Sequence, residues 1–120
     1  MASVLVIDDD EMFRRLVCKL IENAGHEPIA AASGEEGIEL ASQKDPDLIV
    51  TDMNMPGMTG WEMIRRLRAE EATATTPVVV VSAHETSRDR DEAFEAGCSA
   101  YVNKTIDPDT LIGKIVSQIP

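Results

Sequence analysis

The sequence has few aromatic residues and no long hydrophobic run. Phenylalanine, tryptophan and tyrosine make up 3% of its 120 residues, so any interior must be filled mainly by aliphatic side chains and methionine. No apolar stretch approaches the roughly 20 residues that a helix needs to span a bilayer. The opening residues MASVLVIDDD lack the basic segment and the length of a secretory signal. We therefore expect a cytoplasmic protein with no membrane partner.

Basic residues and cysteines are also scarce. Acidic residues outnumber basic ones by 22 to 11, which gives a net charge of -11. Such a surface repels phosphate backbones, so nucleic acid is not expected to be a direct partner. The two cysteines, Cys18 and Cys98, are far apart and lack the spacing of metal ligands. We interpret both as reduced thiols in or near the core.

Short apolar runs alternate with helical patterns along the whole chain. The runs VLVI, LIV and VVVV have no polar alternation, which is typical of strands in a parallel sheet that helices cover on both faces. Strands are predicted at 3–7, 27–31, 47–51, 78–81 and 99–103, and helices at 13–24, 33–43, 61–69, 86–96 and from 107 onward. Asp10 is predicted to cap the first helix, and Ser33 with Glu36 to form a capping box at the second. The pattern predicts a doubly wound α/β fold with five parallel strands in one domain, residues 1–120.

Polar residues stand where each apolar run ends. In open parallel sheets, ligands bind beyond the carboxyl ends of the strands. The residues at these ends are Asp8 and Asp9 after the first strand, Asp52 after the third, Ser82 after the fourth, and Asn103 and Lys104 at the fifth. We therefore expect three carboxylates, a hydroxyl and an ammonium group to share one edge of the sheet.

This set of groups suits phosphoryl transfer assisted by a metal ion. Crowded carboxylates repel one another, which raises their pKa values, and a divalent cation removes this repulsion. Oxygen ligands without histidine or cysteine indicate Mg²⁺, Mn²⁺ or Ca²⁺ and not zinc. Lys104 and Ser82 could contact an incoming phosphoryl group. Asp52 stands apart from the acidic pair, before a loop that contains Pro56 and Gly57, and is the candidate nucleophile.

Four segments together resemble the receiver domain of two-component response regulators. They are VIDDD, LIVTDMNMPGMTG, VVVVSA and AYVNKTIDPDTL, and the resemblance covers essentially the whole chain. The chain is similar to the single-domain, chemotaxis-type members of this family. The resemblance implies a flavodoxin-like sheet with strand order 2-1-3-4-5. It also implies a signalling switch that takes a phosphoryl group from a sensor histidine kinase or a histidine phosphotransfer domain, and that is no enzyme beyond its own phosphorylation and dephosphorylation.

The resemblance also implies a role for individual residues. Asp52 would be the phosphoacceptor, and Mg²⁺ would be bound by Asp9 directly and by Asp8 through water. Asn54 would bind the metal through its backbone carbonyl, and Ser82 and Lys104 would contact the phosphoryl group. Tyr101 would be an aromatic switch, and His84 would tune dephosphorylation.

Several alternatives remain open from the sequence. Tyr101 could be an ordinary strand aromatic and His84 a solvated loop residue. Thr105 stands where the family usually has proline, so we expect either a trans Lys104–Thr105 bond with an altered loop or a strained cis bond.

Two alternative functions also fit parts of this pattern. One is a receiver-like binding platform that is never phosphorylated. The other is a haloacid-dehalogenase-type phosphohydrolase. Such hydrolases need a second acid two residues after the nucleophile, and this chain has Asn54 there.

Overall fold

Five strands alternate with five helices in the structure, a computed structural model that describes residues 1–83 and 87–120. The strands are β1 (Ser3–Ile7), β2 (Glu27–Ala31), β3 (Leu48–Thr51), β4 (Val78–Ser82) and β5 (Ala100–Asn103). The helices are α1 (Glu11–Asn23), α2 (Gly34–Lys44), α3 (Gly60–Ala69), α4 (Ser87–Ala96) and α5 (Pro108–Val116). Each neighbouring pair of strands is parallel, in the order β2-β1-β3-β4-β5. The predicted fold class and strand order are confirmed.

The sheet separates two hydrophobic cores. Successive side chains of a strand point to opposite faces, so Leu5 and Ile7 pack on one side while Val4 and Val6 pack on the other. Buried residues of α2, α3 and α4 complete the first core. Those of α1 and α5 complete the second. Because helices cover both faces, every central strand can be apolar throughout.

Helix starts follow the predicted caps, with one difference. The Asp10 carboxylate accepts hydrogen bonds from the backbone N–H groups of Met12 and Phe13, at 3.1 and 3.3 Å. Ser33 Oγ accepts the N–H of Glu36, but the Glu36 carboxylate accepts the N–H of Ala32 and not that of Ser33. The reciprocal bond of the capping box is therefore shifted by one residue.

Element boundaries differ from the prediction by one or two residues, except that the last helix, predicted from 107 onward, spans only Pro108–Val116. Ser82 is the last residue of β4 and does not follow it, and α1 begins at Glu11. Thr86, the predicted start of the fourth helix, lies outside the described residues. No helix among those described is long and apolar enough to cross a membrane.

Both cysteines are free thiols, as predicted. Cys98 is buried and Cys18 is half-buried. Burial raises the pKa of Cys98 to about 11 and also raises that of Cys18. At neutral pH both therefore remain in the unreactive thiol form.

Candidate functional site

The carboxyl ends of β1 and β3 bring the acidic residues together. Ile7 is in register with Thr51, and the N–H of Asp52 donates to the carbonyl oxygen of Ile7 at 3.2 Å. Asp8 and Asp52 therefore leave the sheet side by side. One carboxylate oxygen from each of Asp8, Asp9 and Asp52 lies within 4.8 Å of the others. Asp8 and Asp52 are buried, whereas Asp9 is exposed.

Backbone amides fix the orientation of the Asp52 carboxylate. Its Oδ1 accepts the N–H of Met53 at 2.6 Å and that of Asn54 at 3.3 Å. The N–H of Gly60 donates to the carbonyl of Met53 at 2.8 Å, which closes the loop at the start of α3. With Oδ1 held by two amides, Oδ2 is the oxygen directed toward Lys104.

The loop after Asp52 is anchored by its own apolar side chains. Met53, Met55 and Met58 are all buried in the core shared with α2, α3 and α4. Gly57 adopts a left-handed conformation with φ 86°, which glycine accepts without steric cost. The buried methionines thus anchor the loop after Asp52 to the core.

The side chain of Lys104 occupies the centre of the site. Its ammonium nitrogen lies 3.0 Å from Asp8 Oδ2 and 3.3 Å from Asp52 Oδ2. On a third side it lies 4.4 Å from the centroid of the Phe13 ring. The side chain is only 16% exposed, so these contacts are partly shielded from water.

Burial and pairing oppose each other in the pKa values of this group. Burial of the Asp8 carboxylate raises its pKa, and the hydrogen bonds from the Asp10 amide and from Lys104 only partly offset that effect. Burial lowers the pKa of Lys104, but this effect is outweighed. The hydrogen bonds and charge interactions with Asp8 and Asp52 raise the pKa above its usual value. Lys104 therefore carries its charge at neutral pH and neutralises part of the acidic cluster.

The donor set fits a divalent cation such as Mg²⁺. All three candidate ligands are carboxylates, and their oxygens converge closely enough for one ion to reach them. Hard cations of this kind prefer oxygen ligands, and magnesium commonly takes one or two carboxylates and several waters.

Comparison with known proteins identifies the family. The family model of the response regulator receiver domain matches residues 4–116. The chain belongs to this family. Receiver domains are signalling switches and not classical enzymes; they bind Mg²⁺ at an acidic pocket and interact with histidine kinases or phosphotransfer proteins.

Relatives of this receiver domain match it over nearly their full length. The polar-differentiation response regulator DivK of Brucella abortus is 34% identical over 117 residues, which is 98% of this chain and 95% of DivK. Protein PilH of Pseudomonas aeruginosa is 30% identical over 115 residues, 96% of this chain and 95% of PilH. The chemotaxis protein CheY4 of Vibrio cholerae superimposes with a TM-score of 0.93 at 29% identity, covering 100% of this chain and 99% of that one.

The segment after Lys104 departs from the family pattern. The peptide bonds of the described residues are all trans, including Lys104–Thr105. Of the two conformations expected for this bond, the structure therefore has the trans one. The Asn103 side-chain oxygen accepts both the N–H of Thr105 at 2.8 Å and its hydroxyl at 2.7 Å. This pair of hydrogen bonds orders the turn where the family has proline.

The remaining predicted residues of the receiver domain lie around the acidic group. Ser82 is fully buried at the end of β4, and its carbonyl oxygen accepts the Lys104 N–H at 2.9 Å. Tyr101 is half-buried on β5, with the Arg90 guanidinium 5.8 Å from its ring centroid. Asn54 is exposed, and its backbone carbonyl as a metal ligand stays a prediction. His84 lies outside the described residues, so its tuning role also stays a prediction.

Two residues near Lys104 and Asp8 were missed as site residues by the sequence analysis. Phe13 was predicted only as the first residue of the first helix, yet its ring contacts the Lys104 ammonium. Arg14 Nη1 donates to the Asp8 carbonyl oxygen at 2.7 Å. Phe13 and Arg14 lie in the first turn of the helix that follows Asp8 and Asp9. Because that turn begins at the same edge of the sheet, their position in the sequence could have predicted that they lie near the site.

Proposed function

We propose that this receiver domain accepts a phosphoryl group on Asp52 from a phosphohistidine of a sensor histidine kinase or a histidine phosphotransfer domain, in the cytoplasm. The observation that carries this proposal is the arrangement around Asp52. Its carboxylate is fixed by two backbone amides, lies within reach of two other carboxylates, and faces a charged lysine.

Asp52 Oδ2 is the oxygen we assign as the nucleophile, because Oδ1 already accepts two amide hydrogen bonds. As Oδ2 forms its bond to phosphorus, the phosphorus–nitrogen bond of the donor breaks and its electron pair stays on the imidazole, which takes up a proton. The Lys104 ammonium pairs with the phosphoryl oxygens during the transfer and offsets part of their negative charge. The buried Ser82 at the end of β4 would donate its hydroxyl hydrogen to one of them.

The metal site of the proposal comprises Asp8, Asp9, Asp52 and the Asn54 backbone carbonyl. Mg²⁺, or Mn²⁺ in its place, would neutralise charge on the phosphoryl oxygens. Asp9 is the exposed member, which suits direct contact with an ion that enters from solvent. Asp8 is buried and paired with Lys104, which suits contact through a water molecule.

The output of the switch is proposed to run through Ser82 and Tyr101. Ser82 is in register with Asn103 on the neighbouring strand, and Tyr101 lies two residues before Asn103 on β5. A hydrogen bond from the Ser82 hydroxyl to the phosphoryl group would shift the end of β4. A change in the Tyr101 ring would then alter the surface formed by α4, β5 and α5.

Incubation with acetyl phosphate and Mg²⁺, followed by intact-protein mass spectrometry, tests the proposal. We expect the mass of one phosphoryl group, which is lost in Asp52→Asn and retained in the matched control Asp91→Asn on the exposed surface of α4. Self-catalysed dephosphorylation would appear as decay of this species after the donor is removed.

The two alternative functions give different outcomes in the same assay. Turnover of external phosphomonoesters without a stable phosphoprotein would indicate a haloacid-dehalogenase-type hydrolase. Neither labelling nor turnover would indicate a binding platform that is never phosphorylated. Labelling that persists in Asp52→Asn would overturn the assignment of the acceptor.

A further inference from the structure

The ammonium group of Lys104 has an aromatic contact that belongs to no predicted role. Two of its neighbours are carboxylate oxygens, at 3.0 and 3.3 Å, and the third is the face of Phe13 at 4.4 Å from the ring centroid. A cation within about 6 Å of an aromatic centroid is attracted by the negative face of the ring. Phe13 therefore supplies an attraction that does not compete with the carboxylates for hydrogen bonds.

The backbone on both sides of Lys104 is already fixed. Its own N–H donates to the carbonyl of Ser82 at 2.9 Å. The Asn103 side chain binds the next residue, Thr105, through both its N–H and its hydroxyl. The backbone position of Lys104 is thus fixed. The remaining conformational freedom of the residue lies in the four flexible carbon–carbon bonds of its side chain.

We propose that Phe13 is a positioning residue that holds the Lys104 ammonium beside the carboxylates of Asp8 and Asp52. The inference rests on the proposed function, because Lys104 is placed to meet the phosphoryl group. When a metal ion or a phosphoryl group binds Asp8 and Asp52, these carboxylates attract the ammonium less. The attraction by the Phe13 ring is unchanged. Lys104 then stays at the pocket and does not swing into solvent.

An alternative explanation is that Phe13 only fills space. Its half-buried side chain packs against the core on the side of α1 and α5. A space-filling role needs volume, whereas a positioning role needs the negative ring face. The two roles can therefore be separated by changing the electron distribution of the ring while keeping its shape.

The experiment places mono-, di- and trifluorinated phenylalanine at position 13, with Phe13→Leu as a genetic variant. Phe94, exposed on α4, receives the same fluorinated residues as the matched control. We expect the rate of Asp52 phosphorylation by acetyl phosphate to fall stepwise with fluorination at position 13. The Leu variant should lose about 3- to 30-fold, the range of a cation–aromatic contact. Fluorination of Phe94 should leave the rate unchanged.

A second measurement does not depend on phosphorylation. In the ion-free protein, the ring should shift the NMR signals of the Lys104 ε-methylene group upfield, and Phe13→Leu should abolish this shift. Retention of the shift in the Leu variant, or equal phosphorylation rates across the fluorinated series, would overturn the positioning role. Absence of phosphorylation in the unmodified chain would instead overturn the proposed function, while the NMR shift still reports the contact.

Discussion

The ammonium nitrogen of Lys104 lies 3.0 Å from Asp8 Oδ2 and bridges to Asp52 Oδ2 at 3.3 Å. It therefore pairs with two of the three carboxylates that form the candidate metal site and offsets one of their negative charges. A divalent cation and the ammonium group must compete for the same negative charge. The resting site is consequently held together by an internal cation, and binding of a metal ion has to weaken that pairing.

Replacing Lys104 with methionine should tighten Mg²⁺ binding. The variant keeps most of the apolar stem but removes the positive charge, so the carboxylates attract the ion without opposition. We expect the dissociation constant for Mg²⁺ to fall by about 3- to 30-fold, because solvent screens part of the charge interaction. Isothermal titration calorimetry or the fluorescence of Trp61 would report binding.

The matched control for this substitution is Lys114→Met, which removes the same charge from an exposed position on α5. Its effect on the Mg²⁺ dissociation constant should be less than about twofold, because charges beyond a Debye length are screened. Equal dissociation constants for Lys104→Met and the unmodified protein would contradict the competition.

Asp8 should make stability depend on pH. Because burial raises its pKa above the usual 3.8, the folded state binds this proton more readily than the unfolded chain does. Stability from this group is therefore complete below pH 3.8 and is lost as the pH rises through the raised pKa. Asp8→Asn should avoid that loss and therefore raise Tm at neutral pH in the absence of divalent cations.

Differential scanning calorimetry between about pH 4 and pH 8 would measure this dependence. The stabilisation by Asp8→Asn should shrink toward the acid end of the series. Asp91→Asn, a change of the same kind on the surface of α4, should shift Tm little at any pH. A lower Tm for Asp8→Asn at neutral pH would show that pairing with Lys104 outweighs burial.

The sequence was sufficient for the fold and for the edge of the sheet that carries the site. Apolar runs such as VLVI and the acids after them are local patterns, and parallel topology brings the strand ends to one edge. Which face of α1 meets Lys104 was not predictable in the same way. That contact depends on the reach of the Lys104 side chain, which is far from Phe13 in the chain. The Asn103–Thr105 hydrogen bonds were missed because the usual proline was the only guide to that turn.

Gly60 should be intolerant of any side chain. A Cβ at this position would lie 2.6 Å from Met53 Cα and 2.9 Å from the Asp52 carbonyl oxygen. Both are backbone atoms of the acceptor loop, so the loop would have to move. We expect Gly60→Ala to lower the free energy of unfolding by about 2 kcal/mol, measured by urea denaturation.

The control for Gly60 is Gly113 in the interior of α5, where a Cβ meets nothing within 4 Å. Gly113→Ala should raise the free energy of unfolding by about 0.5–1 kcal/mol, because alanine favours the helix. If both variants changed stability in the same direction, close packing at Gly60 would not be the cause.

Arg68 should be the most important basic residue for stability outside the site. Its guanidinium donates twice to the carbonyl of Gly97, at 2.8 and 3.1 Å, and to that of Thr76 at 2.6 Å. It also donates to the carbonyls of Thr73 and Ala74. Burial lowers the pKa of Arg68. One side chain thus joins the loop after α3 to the turn after α4.

Arg68→Lys should therefore be costly although it preserves charge. A compact ammonium group lacks the planar fork that serves several carbonyls at once, so some of them lose their donor. We expect the free energy of unfolding to fall by about 2 kcal/mol, and the Gly97 amide to exchange its hydrogen faster. Arg66→Lys is the matched control, since Arg66 forms only an exposed pair with Glu62 at 3.2 Å, worth less than about 0.5 kcal/mol. Similar losses in the two variants would mean that charge, and not the geometry of the guanidinium, stabilises this corner of the fold.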